Sequence, residues 1–324
     1  MYTYQQLQEI VNARLNQQEL IRAPEELYEP IDYALSSGGK RLRPVLLLMA
    51  ANLFDSDIEH LVEPALGIEI FHNFTLLHDD IMDQAQIRRN KATVHRKWNT
   101  NIAILSGDAM SIKAYEYLLQ YRGSNGARVL EVFSQTALKV CEGQQYDMNF
   151  ETRQQVSEQE YLRMIGLKTA ALIAGSLQMG ALMAGSSEEE AGHLYDFGWN
   201  LGVAFQLQDD FLDTFGDPKV FGKDIGGDIL AGKKTYLVIK ALENADEYKR
   251  SELEDLMANQ GLDPGEKVRS VQQIFRELGV GDLTHIKAEQ YYQEALRSMK
   301  KIEKDYQEKA PLLQLAERML KREK

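Results

Sequence analysis

The chain has 324 residues, 44% hydrophobic and 27% charged, the balance of a folded globular protein with one large domain or two ordinary ones. Its formal net charge of −12 has the wrong sign for a nucleic-acid binder. The one cysteine, Cys141, excludes an internal disulfide and is read as a core thiol in the helical pattern TALKVCEGQQYDM.

The N-terminus, MYTYQQLQEIV, has neither a basic start nor an apolar run, so no signal peptide is expected. Tyr4, Leu7, Ile10, Val11 and Leu15 form one helical stripe. Helical patterns then recur at about 44–54, 63–83, 101–121, 127–149, 157–184, 187–215, 233–245, 248–259, 265–278, 281–304 and 307–323. Turns are marked by SSGGK (36–40), YRGSNG (121–126), AGSSEEE (184–190) and FGDPKVFGKDIGGD (215–228). No convincing period-two alternation and no linker interrupts this order, which predicts one all-α domain over 1–324. The most apolar windows, 45–54 and 170–185, fall short of the ~20 residues that span a bilayer. A cytoplasmic protein without stable membrane insertion is expected. From Leu167 to Asp213 the helices are rich in Ala, Gly, Leu and Met, which allows close packing or a cavity; composition alone leans towards close packing.

Two aspartate motifs stand out. LLHDDIMDQ carries Asp79, Asp80 and Asp83, and FQLQDDFLDTFG carries Asp209, Asp210 and Asp213, each near the C-terminal end of a long helical segment. Positions i and i+4 share a helix face and lie ~6 Å apart along the axis. Asp79 and Asp83 therefore project together, as do Asp209 and Asp213. A helix C-terminus carries partial negative charge, so such clusters are unfavourable unless cations arrive. Mg2+ held by one or two carboxylates and a substrate's phosphates fits the pattern. One motif alone reads as a solvated helix end; two facing ones suggest a diphosphate clamped through Mg2+.

Basic segments surround these motifs in sequence. GGKRLRP (38–44) offers Lys40, Arg41 and Arg43; IRRNKATVHRKW (87–98) offers Arg88 and Arg89; GLKTAAL (166–172) offers Lys168 and Thr169; FGKDIGGDILAGKKT (221–235) offers Lys223 and Lys233. Each alone is an ordinary exposed loop or a snorkelling lysine. Together they supply the cations that a bound diphosphate requires.

GGKRLRP, HNFTLLHDDIMD, RRN, NIAILSGD, EGQ (142–144), LKTAAL, FQLQDDFLD and GKDIGGDILAGKKT, in this order over roughly Gly38 to Thr235, resemble the trans-isoprenyl diphosphate synthases of the polyprenyl synthetase family. The resemblance implies an all-helical fold with a deep central cavity, usually as a homodimer. It also implies head-to-tail condensation of isopentenyl diphosphate with an allylic diphosphate (dimethylallyl, geranyl or farnesyl). By the same resemblance, Asp79 and Asp83 ligate two Mg2+ on the allylic diphosphate. Asp209 ligates a third, with Asp210 and Asp213 supporting through water and Asp80 in support of the first cluster. Arg88, Lys168, Lys223 and Lys233 hold the allylic diphosphate. Lys40, Arg43, His72 and Arg89 hold that of isopentenyl diphosphate. Thr169 and Gln206 sit beside the allylic carbons. Phe71, Phe74 and Thr75, just upstream of Asp79, form the floor that limits product length, and one aromatic floor suggests farnesyl or geranylgeranyl diphosphate. The first motif lacks the two-residue insertion usual in bacterial farnesyl synthases, and Asn99 stands where the family often has glycine.

Three alternatives are weighed. A terpene cyclase of the same fold normally carries a different second metal motif. A noncatalytic subunit of a heteromeric synthase is expected to lose aspartates. A helical divalent-ion binder leaves Arg88, Arg89, Lys168 and Lys223 without a role.

Overall fold

Thr3 opens the first helix: its hydroxyl accepts from the Gln6 amide while the Gln6 side chain accepts from the Thr3 N–H, a capping box at the start of the apolar stripe. The computed structural model describes residues 1–216, 225–259 and 261–321. Helix α1 (Tyr4–Asn16) is followed by α2 (Glu25–Leu35), α3 (Leu42–Asn52), a 3₁₀ turn (Glu59–Leu61) and α4 (Val62–Met82). A small hairpin pairs β1 (Ile87–Arg88) antiparallel with β2 (Lys91–Ala92). Then come α5 (Val94–Lys97), α6 (Thr100–Leu118), α7 (Gly126–Thr152), α8 (Glu158–Ile165), a π-helical turn (Gly166–Ala170), α9 (Ala171–Met183) and α10 (Glu188–Phe215). The chain ends with α11 (Gly227–Leu230), α12 (Tyr236–Asn244), α13 (Glu247–Ala258), α14 (Pro264–Glu277), α15 (Val280–Lys300) and α16 (Tyr306–Lys321). The fold is all-α, as expected.

Besides the small hairpin, two helices and one residue depart from the sequence reading. Helix α2 forms despite Pro30 in its interior; Glu25 and Glu26 suit its N-terminus, and it buries Ile31 and Leu35, one turn apart. The stretch predicted as one helix over 157–184 widens into a π turn at Gly166–Ala170. Cys141 is exposed rather than core, because it points off the buried face of α7.

The described chain divides into two compact units. The first comprises 1–136, 175–195 and 301–315. Here α4 packs against α1, α2, α3 and α6, with Leu46, Leu47, Leu66, Phe71 and Phe133 fully buried. A Cβ on Gly67 would lie 2.8 Å from the Ala114 carbonyl oxygen, so glycine sets how closely α4 approaches α6. The second unit comprises 137–174, 196–300 and the chain from 316. Its core gathers Tyr161, Ile165, Ala170, Val203, Leu207 and Tyr236 around the π turn, and a second cluster joins Leu253, Val271, Phe275 and Val280.

The continuous run Glu158–Met183 is long and apolar enough to cross a membrane, longer than the window read from sequence, but 83% of its apolar window is buried within the protein. Core helices of folded domains show the same pattern.

Candidate active site

In the first unit, α4 carries the first acidic motif to its last turn. Asp83 is the C-cap, its N–H bonded to the Asp79 carbonyl at 2.8 Å. The β1–β2 hairpin turns through Arg89 and Asn90, both with positive φ (51° and 60°), the backbone of a tight two-residue hairpin turn. That turn sends Arg88 back to the motif: its Nε donates to Asp80 Oδ1 at 2.6 Å and its Nη2 to Asp79 Oδ2 at 3.2 Å. Asp80 is buried, and burial pushes its pKa up to about 6 against the opposing pull of Arg88.

Arg89 turns the other way, towards the loop before α3. Its Nη1 donates to the Gly38 carbonyl. Gly39, at φ 131°, leaves it room, since a Cβ there would meet the Arg89 Cζ at 2.9 Å. Arg43 Nη1 lies 3.0 Å from His72 Nε2. Burial, then Arg43 itself, push the His72 pKa well below its ordinary value, so the neutral ring accepts this bond. Burial lowers the Arg43 pKa to about 10, and its Nε is buried with no hydrogen-bond partner among the described residues. A guanidinium short of acceptors, with Arg89 near enough to lower its pKa further, is a cationic site that an anion would satisfy. Lys40 is exposed, and its carbonyl is pinned by Tyr4 Oη and Gln8 Nε2.

Arg41 is different. It stands at φ 51° with its guanidinium turned inward, bonded to Glu69 Oε1 (2.6 Å), the Leu35 carbonyl (2.8 Å) and Asn12 Oδ1 (3.1 Å). It ties the loop before α3 to Glu69 of α4 and to Leu35 and Asn12.

Phe74 is half-buried, five residues before Asp79, and packs edge-on against His78 at 4.8 Å. Behind it Phe71 is fully enclosed by Phe74 (5.4 Å) and Phe133 (5.1 Å). Thr75 Oγ1 donates to the His72 carbonyl at 2.8 Å.

In the second unit, the π turn presents Lys168 and Thr169, which suits the tendency of such turns to mark functional sites. Gly143 of EGQ makes this fit: a Cβ there would collide with the Lys168 backbone. One turn on, Asp147 Oδ2 accepts from Lys168 Nζ at 2.6 Å. Thr169 Oγ1 donates to Gln206 Oε1 at 2.9 Å, and Gln206 Nε2 to Asp210 Oδ1 at 2.9 Å. Asp210 Oδ2 accepts from Tyr161 Oη. Burial pushes the Asp210 pKa well above the carboxylate range, with Asp228 adding to the rise and the two donors opposing it. Asp209, beside it, is half-buried. Asp213 Oδ2 accepts from the Asp228 N–H at 2.9 Å, capping α11. Lys233 Nζ lies 3.8 Å from Asp228 Oδ1. Lys223 lies outside the described residues. A cavity of about 740 Å³ in this unit is lined by His285, Glu289, Arg297 and Lys321; Gln208 reaches it, but no aspartate of the motif does.

Within the two units, then, the structure gathers Asp79, Asp80 and Arg88; Arg43 and His72; and Lys168, Thr169, Gln206 and Asp210. Asp147 and Tyr161 were missed in the sequence. The one signal for Asp147 was its place four residues after Gly143; Tyr161 had none. Among the described residues no three His, Cys, Asp or Glu side chains form a preformed metal cage. An incomplete set of hard carboxylate oxygens suits Mg2+, which takes one or two carboxylates and completes its shell with water and phosphate.

The polyprenyl synthetase family pattern matches residues 24–278. The chain belongs to the polyprenyl synthetase family. The geranylgeranyl diphosphate synthase of Methanosarcina mazei is 39% identical over 316 residues, covering 97% of this synthase and 95% of that protein. A crystal structure of geranylgeranyl pyrophosphate synthase superposes with a TM-score of 0.95 at 43% identity, covering 100% of both chains. Another, from Corynebacterium glutamicum and complexed with isoprenyl diphosphate and magnesium, has a TM-score of 0.87 at 26% identity, covering 99% of this synthase and 98% of that chain. Members of the family are generally Mg2+-dependent. The synthase is a prenyltransferase that joins isopentenyl diphosphate head to tail to an allylic diphosphate, giving a short-chain trans-prenyl diphosphate. These relatives do not favour the cyclase or noncatalytic-subunit readings.

Proposed function

We propose that the synthase adds isopentenyl diphosphate to dimethylallyl, geranyl and farnesyl diphosphate in turn and stops at geranylgeranyl diphosphate. The observation that carries this choice is that the relative and the crystal structure named for this product match over 95% and 100% of their lengths. The sequence alone left farnesyl and geranylgeranyl diphosphate both open.

Lys40, Arg43, His72 and Arg89 hold the diphosphate of isopentenyl diphosphate; the support is the buried, acceptor-poor Arg43 beside neutral His72. Arg88, Lys168, Lys223 and Lys233 hold the allylic diphosphate. Asp79 and Asp83 hold two Mg2+, and Asp209 holds a third. When bound, Mg2+ neutralises the departing diphosphate and so favours breaking the allylic C–O bond. The cationic side chains add to that stabilisation from fixed positions. Thr169 and Gln206 place oxygens beside the allylic carbons. The double bond of isopentenyl diphosphate attacks the allylic cation, and a proton then leaves to restore the alkene. The released diphosphate is the favoured acceptor, so no dedicated protein base is needed. Apolar walls keep water from the cation.

The whole chain, 1–324, acts as one catalytic domain in this reading, in the cytoplasm and as a homodimer. Leu105 and Ile112 on α6 and its C-cap Leu119, seven residues apart, are 60%, 64% and 49% exposed, an apolar stripe suited to a second copy. A monomer at working concentration in sedimentation would overturn the dimer.

The direct test is chromatography of dephosphorylated products after incubation with Mg2+, isopentenyl diphosphate and each allylic primer. Geranylgeraniol as the longest major alcohol is expected; farnesol as the end point would overturn the assigned length. Phe74→Ala is expected to move the main product at least one isoprene unit longer, with Phe71 as the next stop. Because Phe74 is only half-buried, its removal should cost less than the roughly 3–5 kcal/mol of a fully buried phenylalanine. An unchanged product profile would remove Phe74 from the floor.

A further inference from the structure

We infer that Asp210 is a positioning residue, not a metal ligand: with Tyr161 it orients the Gln206 amide so that Thr169 and Gln206 present only oxygen lone pairs beside them. The inference rests on the proposed placement of Thr169 and Gln206 at the allylic carbons, and concerns how they are held there.

Asp210 is 3% exposed, and both of its oxygens are occupied by protein donors. Tyr161 Oη serves Oδ2 from α8, and Gln206 Nε2 serves Oδ1 at 2.9 Å from one turn earlier on α10. The Gln206 amide turns its NH2 towards Asp210 Oδ1. Its Oε1 then points to Thr169, whose single hydroxyl hydrogen is used in that 2.9 Å bond. The chain of donors therefore has one direction: Thr169 to Gln206 to Asp210, with Tyr161 closing the far end.

The consequence is electrostatic. Oε1 of Gln206 and Oγ1 of Thr169 have no hydrogen left to aim at a neighbouring carbon, and fixed lone pairs favour developing positive charge there. Tyr161 is the anchor: its ring is buried in the core around the π turn, so its hydroxyl ties α8 to α10 across the turn that carries Thr169.

The experiment compares Tyr161→Phe, Asp210→Asn, Thr169→Ser and Thr169→Val in steady-state kinetics with geranyl and isopentenyl diphosphate, with Mg2+ titrated and folding checked by circular dichroism. Tyr161→Phe is expected to lower kcat roughly tenfold, and Asp210→Asn and Thr169→Val on the order of 100-fold. Both KM values and the half-saturating Mg2+ should stay within about twofold. Thr169→Ser, which keeps the hydroxyl, should restore most of kcat. A half-saturating Mg2+ raised about tenfold or more in Asp210→Asn, with kcat recovered at high Mg2+, would make Asp210 a metal ligand and overturn the inference. Wild-type kcat in folded Tyr161→Phe would also overturn it, and that variant decides if Asp210→Asn does not fold. Wild-type protein elongating geranyl diphosphate in the same assay separates these outcomes from a failure of the proposed function.

Discussion

Asp79→Ala and Asp209→Ala are each expected to lower turnover by roughly 1,000-fold or more while leaving the fold intact. Asp79 sits in the last turn of α4, where the helix dipole and the neighbouring Asp80 and Asp83 make a carboxylate unfavourable. Its side chain is 17% exposed and shares Arg88 with Asp80. Removing it relieves repulsion and leaves Arg88 bonded to Asp80 at 2.6 Å, so thermal stability should hold or rise. Asp209 is half-buried on α10, and the Tyr161, Gln206 and Asp228 bonds to Asp210 and Asp213 stay in place when it is replaced. A large kinetic loss with little stability loss is the mark of a residue kept for a ligand. Turnover and melting temperature measured on the same preparations check it; near-normal turnover in both variants would refute the metal clamp.

Arg41→Ala is expected to destabilise the protein by roughly 3–5 kcal/mol, the usual cost of leaving a buried charge without its partner. Arg41 is 5% exposed and Glu69 is 1% exposed. Glu69 Oε1 accepts from Arg41 and, at 3.0 Å, from Asn73, while Oε2 has no partner among the described residues. Without the guanidinium the Glu69 carboxylate stays buried at the centre of α4, and the Leu35 carbonyl loses its donor. Replacing both charges, as in Arg41→Met/Glu69→Met, should recover most of the loss, since an apolar pair of similar volume fills the site. Chemical denaturation of the single and double variants tests this. A single variant as stable as wild type would mean that the buried pair contributes nothing.

The contrast between Arg41 and Arg43 shows where the sequence stops being legible. Both lie in GGKRLRP, and the motif offers no way to tell them apart. One turns inward because Glu69, 28 residues away, waits inside; the other lies against His72 and keeps a donor with no partner among the described residues. Long-range pairing is invisible to local pattern. The aspartate motifs were legible for the opposite reason: carboxylates four apart at a helix end conflict with local electrostatics, and the conflict itself is the signal. The long helices were legible from apolar periodicity. Helix α2 was not, because Pro30 reads as a breaker, whereas the helix forms with Pro30, Ile31 and Leu35 all buried. The π turn has no composition signature. Its presence follows from close approach: Gly143 and Gly202 admit the backbones of Lys168 and Ala170, where a Cβ on either would clash.

The most direct measurement is calorimetric titration of an allylic thiodiphosphate, whose carbon–sulfur bond ionises too slowly to react, into wild type, Asp79→Ala and Asp209→Ala with and without Mg2+. Tight binding by wild type only when Mg2+ is present, weakened at least about tenfold (roughly 1.4 kcal/mol) by either substitution, is the result expected if both aspartate motifs hold one diphosphate through metal. Binding by folded Asp209→Ala as tight as wild type, or wild-type binding unchanged without Mg2+, would contradict it.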